Sequence, residues 1–168
     1  GGGGFDTVSI AYQNLEWFEE RFGNVGGLGV APKTRIDFFS ETISYNSIFF
    51  PTSFNARDTI TNFENAEGGD FDDTFLGTGG DNVFDGGDGD DIFEYSGGND
   101  TFNGGEGGDD ELDLRTVPTF QTGVTLDLRL TTAQAITGSD SITLSGVESI
   151  RGTLSADFLT GTDGNNAF

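Results

Sequence analysis

Through the middle of the chain, large apolar side chains recur at one fixed interval. Phe75, Phe84, Phe93 and Phe102 stand nine residues apart, and Asp73, Asn82, Asp91 and Asp100 keep the same interval two positions earlier. Glycines mark the same frame, with Gly77, Gly86 and Gly104 at its first position and Gly80, Gly89 and Gly98 at its fourth. A repeat of nine with one obligatory large apolar residue predicts a turn followed by a short strand. The glycine-rich half supplies the turn and lets carbonyls come close to a ligand. In the other half, position eight points inward while positions seven and nine point outward, by the two-residue alternation of a strand. A further copy, Gly105 to Leu112, fits the frame with one inserted residue. The insertion brings Asp110 and Leu112 into the aspartate and apolar slots and keeps Glu111 out of the core.

Two such units, 18 residues, make one coil of a flattened parallel superhelix, with the turns of alternate repeats stacked along each edge. Asp73, Asp91 and Asp109 or Asp110 then line one edge, and Asn82 and Asp100 the other, at a spacing of ~4.8 Å. A coarser period of 84 residues overlies the first. Glu64 matches Glu148, Gly68 matches Gly152, Asp73 matches Asp157, Gly77-Thr78 matches Gly161-Thr162, and Asn82 and Phe84 match Asn166 and Phe168. Residues 1–168 therefore read as a single elongated module of two related units, about 1–103 and 104–168, with an insertion at about 13–57. By analogy with Phe84, another nonapeptide is expected to follow Phe168, as in a piece of a longer repeat protein.

The segments between the nonapeptides follow other patterns. Val124, Leu126, Leu128 and Leu130 alternate with polar residues and predict a half-buried strand that extends the roll. Asn14 to Gly23 reads as a short helix, with Asn14 as N-cap, Leu15, Phe18 and Phe22 on one face and Gly23 ending it. Gly26 to Pro51 reads as strands and loops around Ile36-Asp37-Phe38 and Ile43-Ser44-Tyr45. Trp17 and Phe49-Phe50 fit a satellite core or a binding patch. Lys33 and Arg35 fit plain surface charges or a contact to an acidic polysaccharide.

Composition narrows the function. The chain has 29 acidic against 7 basic residues, a net charge of -22, and no histidine, cysteine or methionine. That excludes histidine-based triads, cysteine nucleophiles, thiolate zinc sites and disulfides. So negative a chain repels nucleic acid and anionic lipid, and no stretch approaches the ~18 apolar residues of a membrane helix. Carboxylate pairs can run glycoside chemistry, but nothing marks a pair of acids in separate environments, so the module is read as not an enzyme. Stacked acidic turns need a cation. Calcium takes six to eight oxygens in tolerant geometry, which two adjacent turns can supply, whereas magnesium demands a tight octahedron and keeps its waters.

The cleanest copy, Gly86-Gly87-Asp88-Gly89-Asp90-Asp91-Ile92-Phe93-Glu94, and the opening Gly1-Gly2-Gly3-Gly4-Phe5-Asp6-Thr7-Val8 resemble the RTX, or hemolysin-type, calcium-binding nonapeptide. Other copies are degenerate: Phe71 stands at a glycine position, Tyr95-Ser96 replace the leading glycines, and Asn82 and Asn166 replace the aspartate. The resemblance implies an all-β fold, a parallel β-roll or flattened right-handed β-helix, here with a short helix-containing insertion near the N-terminus. It also implies type I secretion from a Gram-negative bacterium to the exterior or cell surface, and folding on several calcium ions. The candidate ligands in this frame are the side chains of Asp6, Asp70, Asp73, Asn82, Asp88, Asp91, Asp100, Glu106, Asp109, Asp110 and Asp157, with Gly68, Gly77, Gly79, Gly86, Gly98 and Gly104. The expected partner is calcium. The alternatives are a self-assembling or glycan-binding extracellular structural module, in which the insertion contacts a second copy of the chain or a glycan, or a non-catalytic accessory module of a polysaccharide-modifying enzyme.

Overall fold

The computed structural model describes residues 64–69, 72–115 and 122–168 in full, together with the backbone of four further strands, β1 (Thr7–Ser9), β2 (Lys33–Asp37), β3 (Thr42–Ser47) and β4 (Phe54–Thr59). The remaining strands are β5 (Asn65–Glu67), β6 (Asp73–Leu76), β7 (Val83–Asp88), β8 (Ile92–Glu94), β9 (Asn99–Glu106), β10 (Glu111–Asp113), β11 (Thr125–Asp127), β12 (Gln134–Thr137), β13 (Asp140–Ser145), β14 (Ser149–Arg151) and β15 (Phe158–Thr160). Among the described residues there is no helix. The helix read at 14–23, the aromatic pair Phe49-Phe50, Trp17, Asp6 and Asp70 lie outside them.

Successive nonapeptides alternate between two sheets. One has the order β1-β5-β7-β9-β13-β12 and the other β14-β10-β8-β6-β2-β3-β4. Equivalent residues of alternate repeats pair in parallel: Ala66 with Phe84, Phe84 with Phe102 and Phe102 with Leu144 in the first sheet, Phe75 with Phe93, Phe93 with Leu112 and Leu112 with Ile150 in the second. The described residues are all-β, with the parallel pairing of a β-roll. Leu112 pairs with Phe93 at a separation one residue longer than 18, because Gly107 and Gly108, both with positive φ, take up the extra residue in an exposed turn.

The two sheets face each other across one file of apolar side chains, in which Phe75, Phe84, Phe93, Phe102 and Leu112 are wholly buried. Ring centroids lie 5.2 Å apart for Phe75 and Phe84, 5.0 Å for Phe84 and Phe93, and 5.4 Å for Phe93 and Phe102. Those are favourable aromatic separations. Burial of each such side chain contributes about 1.5–3 kcal/mol. Tyr95, read as a lost glycine, is instead a buried core residue whose hydroxyl donates to the Gly98 carbonyl at 3.0 Å.

Among the described residues the parallel roll is departed from twice. β2, β3 and β4 form an antiparallel meander that extends the second sheet, β2 pairing in parallel with β6. Near the other end, β12 turns back through Gly138 and pairs antiparallel with β13. The strand expected over Val124–Leu130 is shorter than its alternation suggests. Val124, Leu126 and Leu128 are buried, but the chain turns after Asp127, held by Arg129 N–H donating to Asp127 Oδ1 at 3.0 Å, and Leu130 is exposed. β11 pairs in parallel with β15, Leu126 opposite Leu159. Gln134 ties β11 to β12, accepting from Asp127 N–H and donating to Asp127 O.

Candidate metal centre

Because each nonapeptide is half a coil, its turns fall alternately on two edges. Turns 86–91, 104–110 and 146–148, with the link from β5 to β6, connect the first sheet to the second along edge one. Turns 77–82 and 95–100 return along edge two. The 84-residue period spans an odd number of half-coils, so β5, which follows Glu64, lies in the first sheet, whereas β14, which follows Glu148, lies in the second.

On edge one the position-six acids form a ladder. Asp73 N–H donates to Asp91 Oδ1 at 2.6 Å, Asp91 N–H to Asp110 Oδ1 at 2.8 Å, and Asp110 N–H to Glu148 Oε2 at 3.1 Å. On edge two, Asn82 N–H donates to Asp100 Oδ1 at 2.8 Å. Asp73, Asn82, Asp91, Asp100 and Asp110 are all buried. Asp110, not Asp109, occupies the slot; Asp109 is exposed and equivalent to Asp90, to whose Oδ1 its N–H donates at 3.0 Å. Asp88 and Glu106 are exposed neighbours at the ends of β7 and β9.

A second ladder, unforeseen from the sequence, runs through position five. Asp72 Oδ1 accepts from Asp90 N–H, Asp90 Oδ1 from Asp109 N–H, and Asp81 Oδ1 from Asn99 N–H. Its carboxylates reach toward the following coil, whereas those at position six reach toward the preceding one. Glu148 was also missed, since its side chain is one methylene longer than the repeat prescribes. The register of Glu111 opposite Ser149 is what places it in the slot.

The glycines of edge one form a cradle. A Cβ on Gly86 would collide with Asp91 Oδ2 and the Gly104 carbonyl, one on Gly104 with Asp110 Oδ2 and the Gly146 carbonyl, and one on Gly68 with the Gly86 carbonyl. Carbonyls and carboxylates thus crowd the same strip, where only glycine leaves room. Gly79, by contrast, is exposed with nothing near it.

Two carboxylate oxygens in this arrangement, Asp91 Oδ2 and Asp100 Oδ2, are buried with no hydrogen-bond partner. Burial pushes Asp91 up to about 8, with the charges of Asp73, Asp110 and Asp72 adding to it, and Asp100 up to about 7, with Asp81 and Asp140 adding. Asp110 rises to about 6, again chiefly through burial, with Glu148 adding. A lone buried carboxylate oxygen is costly unless something cationic or protic meets it. Among the described residues no three acidic side chains make a ready-made cage, so a cation here would draw on turn carbonyls as well. That oxygen-only donor set suits calcium.

The family model of the RTX calcium-binding nonapeptide repeat (4 copies) matches residues 67–102, 96–112 and 142–168. The chain carries RTX calcium-binding nonapeptide repeats. No curated protein matches the chain significantly. Within the matched segments the RTX turns are of two kinds. In turns 86–91 and 95–100, Gly87 and Gly97 have positive φ (105° and 123°), and the position-six oxygen Oδ2 is left without a partner. In the copies around Asn82, Asp157 and Asn166, the position-six side chain accepts an N–H from its own turn, four residues back. Asp73 also accepts such a bond, from Gly69.

Proposed function

We propose that this chain is a non-catalytic β-roll module of a secreted or cell-surface protein, and that calcium binding drives and stabilises its winding. The unpartnered, buried Oδ2 atoms of Asp91 and Asp100 carry this reading. They are the groups a bound divalent cation would satisfy, and the matched repeats are of a calcium-binding type. Asp91, Asp100 and Asp110, with Asp73 beside them, would hold the ions together with carbonyls of Gly68, Gly86 and Gly104 on edge one and of the turns flanking Gly98 on edge two. The ion supplies positive charge between coils. The chain supplies oxygens that converge only once wound, so affinity and folding are one equilibrium. Sites that assemble in this way in extracellular modules bind at about 10⁻⁴–10⁻³ M.

Circular dichroism during calcium titration tests this. The expected result is a coil-like spectrum that turns β-rich with calcium and not with equal magnesium. Asp91→Ala should shift the midpoint to higher calcium by more than Asn82→Ala does. A β-rich spectrum in chelator, unaltered by calcium, would refute the proposal.

A further inference from the structure

Three turns share a motif that the nonapeptide frame hides. Gly77-Thr78 precedes Asn82, Gly152-Thr153 precedes Asp157, and Gly161-Thr162 precedes Asn166, always with the same spacing. In each, the threonine N–H donates to the Asn or Asp side chain, at 2.8 Å from Thr78, 2.8 Å from Thr153 and 2.9 Å from Thr162. The threonine hydroxyl donates to the same side chain, at 3.3, 2.8 and 3.2 Å respectively. That hydroxyl also accepts the N–H two residues on, from Gly80 at 3.1 Å, Ser155 at 3.1 Å and Gly164 at 3.2 Å. One side chain thus satisfies two donors and one threonine closes the loop, a combined Asx and ST turn repeated three times.

The open turns lack this closure. Turns 86–91 and 95–100 have no threonine at the second position, Gly87, Gly89, Gly97 and Gly98 take positive φ, and Asp91 Oδ2 and Asp100 Oδ2 stay unpartnered. None of the glycines in the three threonine turns has positive φ. An asparagine serves as well as an aspartate in the threonine turns, as expected where the side chain receives hydrogen bonds and no cation.

We infer that the three Gly-Thr turns are ion-free clasps, and that calcium enters only turns that lack this closure. The inference rests on the calcium reading above. Its consequence is that ion-dependent coils are bounded by turns that close by themselves, so Asp157 and Asn82, although in the aspartate slot, are not ligands.

The test is the unfolding midpoint of the whole chain as a function of calcium, since its slope against log calcium reports the ions taken up on folding. Asp157→Asn should leave the slope unchanged, with at most a calcium-independent drop in midpoint, because its amide nitrogen cannot accept one of the bonds that Thr153 and Val124 N–H make to the two carboxylate oxygens. Thr153→Val should lower the midpoint by the same few degrees at every calcium concentration, without altering the slope. Asp91→Asn should flatten the slope by about one ion. A shallower slope for Asp157→Asn or Thr153→Val would overturn the clasps. A wild-type slope of zero would refute the calcium reading instead. The clasps would then stand if Thr153→Val still lowers the midpoint and fall if it does not.

Discussion

Asp91 concentrates the conflict between burial and charge. Its folded pKa of about 8, with Asp100 at about 7 and Asp110 at about 6, lies above the ordinary 3.8, so the folded chain binds protons more tightly than the unfolded one. For raised carboxyls the stabilising contribution is complete below the unfolded value and is lost as pH rises through the folded one. Without calcium, the roll should therefore gain β signal as pH falls from 8 toward 5, protons standing in for the cation at the same oxygens. Calcium affinity should change in the opposite sense, rising with pH over that window, because ion and proton compete. Asp91→Asn, which has no proton to gain there, should weaken both trends. Chelated wild-type spectra that stay flat between pH 5 and 8 would contradict this account of the buried carboxyls.

At the scale of elements, the register is the quantity most exposed to test. The turn 104–110 is one residue longer than its neighbours, and Gly107 is exposed with open space where a Cβ would stand, so its deletion restores the 18-residue coil. Deleting Gly107 should leave the calcium response intact. Deleting Thr74 within β6 should abolish it, because a one-residue slip turns Phe75 from the core to the solvent face. Circular dichroism on the two variants separates the cases. This register was legible in the sequence because one large apolar residue per nine leaves little ambiguity about which side is inside. The slip at Asp110 was legible for the same reason, since without it Glu111 would take the core slot that Leu112 fills. Other features were not. The alternation at Val124 to Leu130 announces a strand but says nothing of its partner, and the chain spends that alternation partly on a turn at Arg129. Tyr95 looked like an eroded glycine position yet fills the core, and Thr78, legible only as a match to Thr162, closes a turn. A consensus frame records such residues as losses, whereas their chemistry supplies what the glycine or the ion supplied elsewhere.

For the whole molecule the question is whether general screening could replace a specific ion. The net charge is -22, and stacked turns lie ~4.8 Å apart. At physiological ionic strength the Debye length is ~8 Å, longer than that spacing, so ordinary salt leaves most of the repulsion between adjacent coils in place. At ~1 M salt the Debye length falls to ~3 Å, shorter than the spacing, and long-range repulsion largely disappears. Screening still provides no ligand for Asp91 Oδ2 or Asp100 Oδ2, which lose water on winding whatever the ionic strength. High sodium chloride in chelator should therefore contract the chain, from the about 43 Å radius of gyration of an unfolded chain of this length toward the about 15 Å of a compact one, without restoring β structure. Millimolar calcium at low ionic strength should do both. Small-angle scattering and circular dichroism on the same samples distinguish the two, and a full β spectrum in 1 M salt without calcium would show that charge repulsion alone, and not the orphaned oxygens, opposes winding.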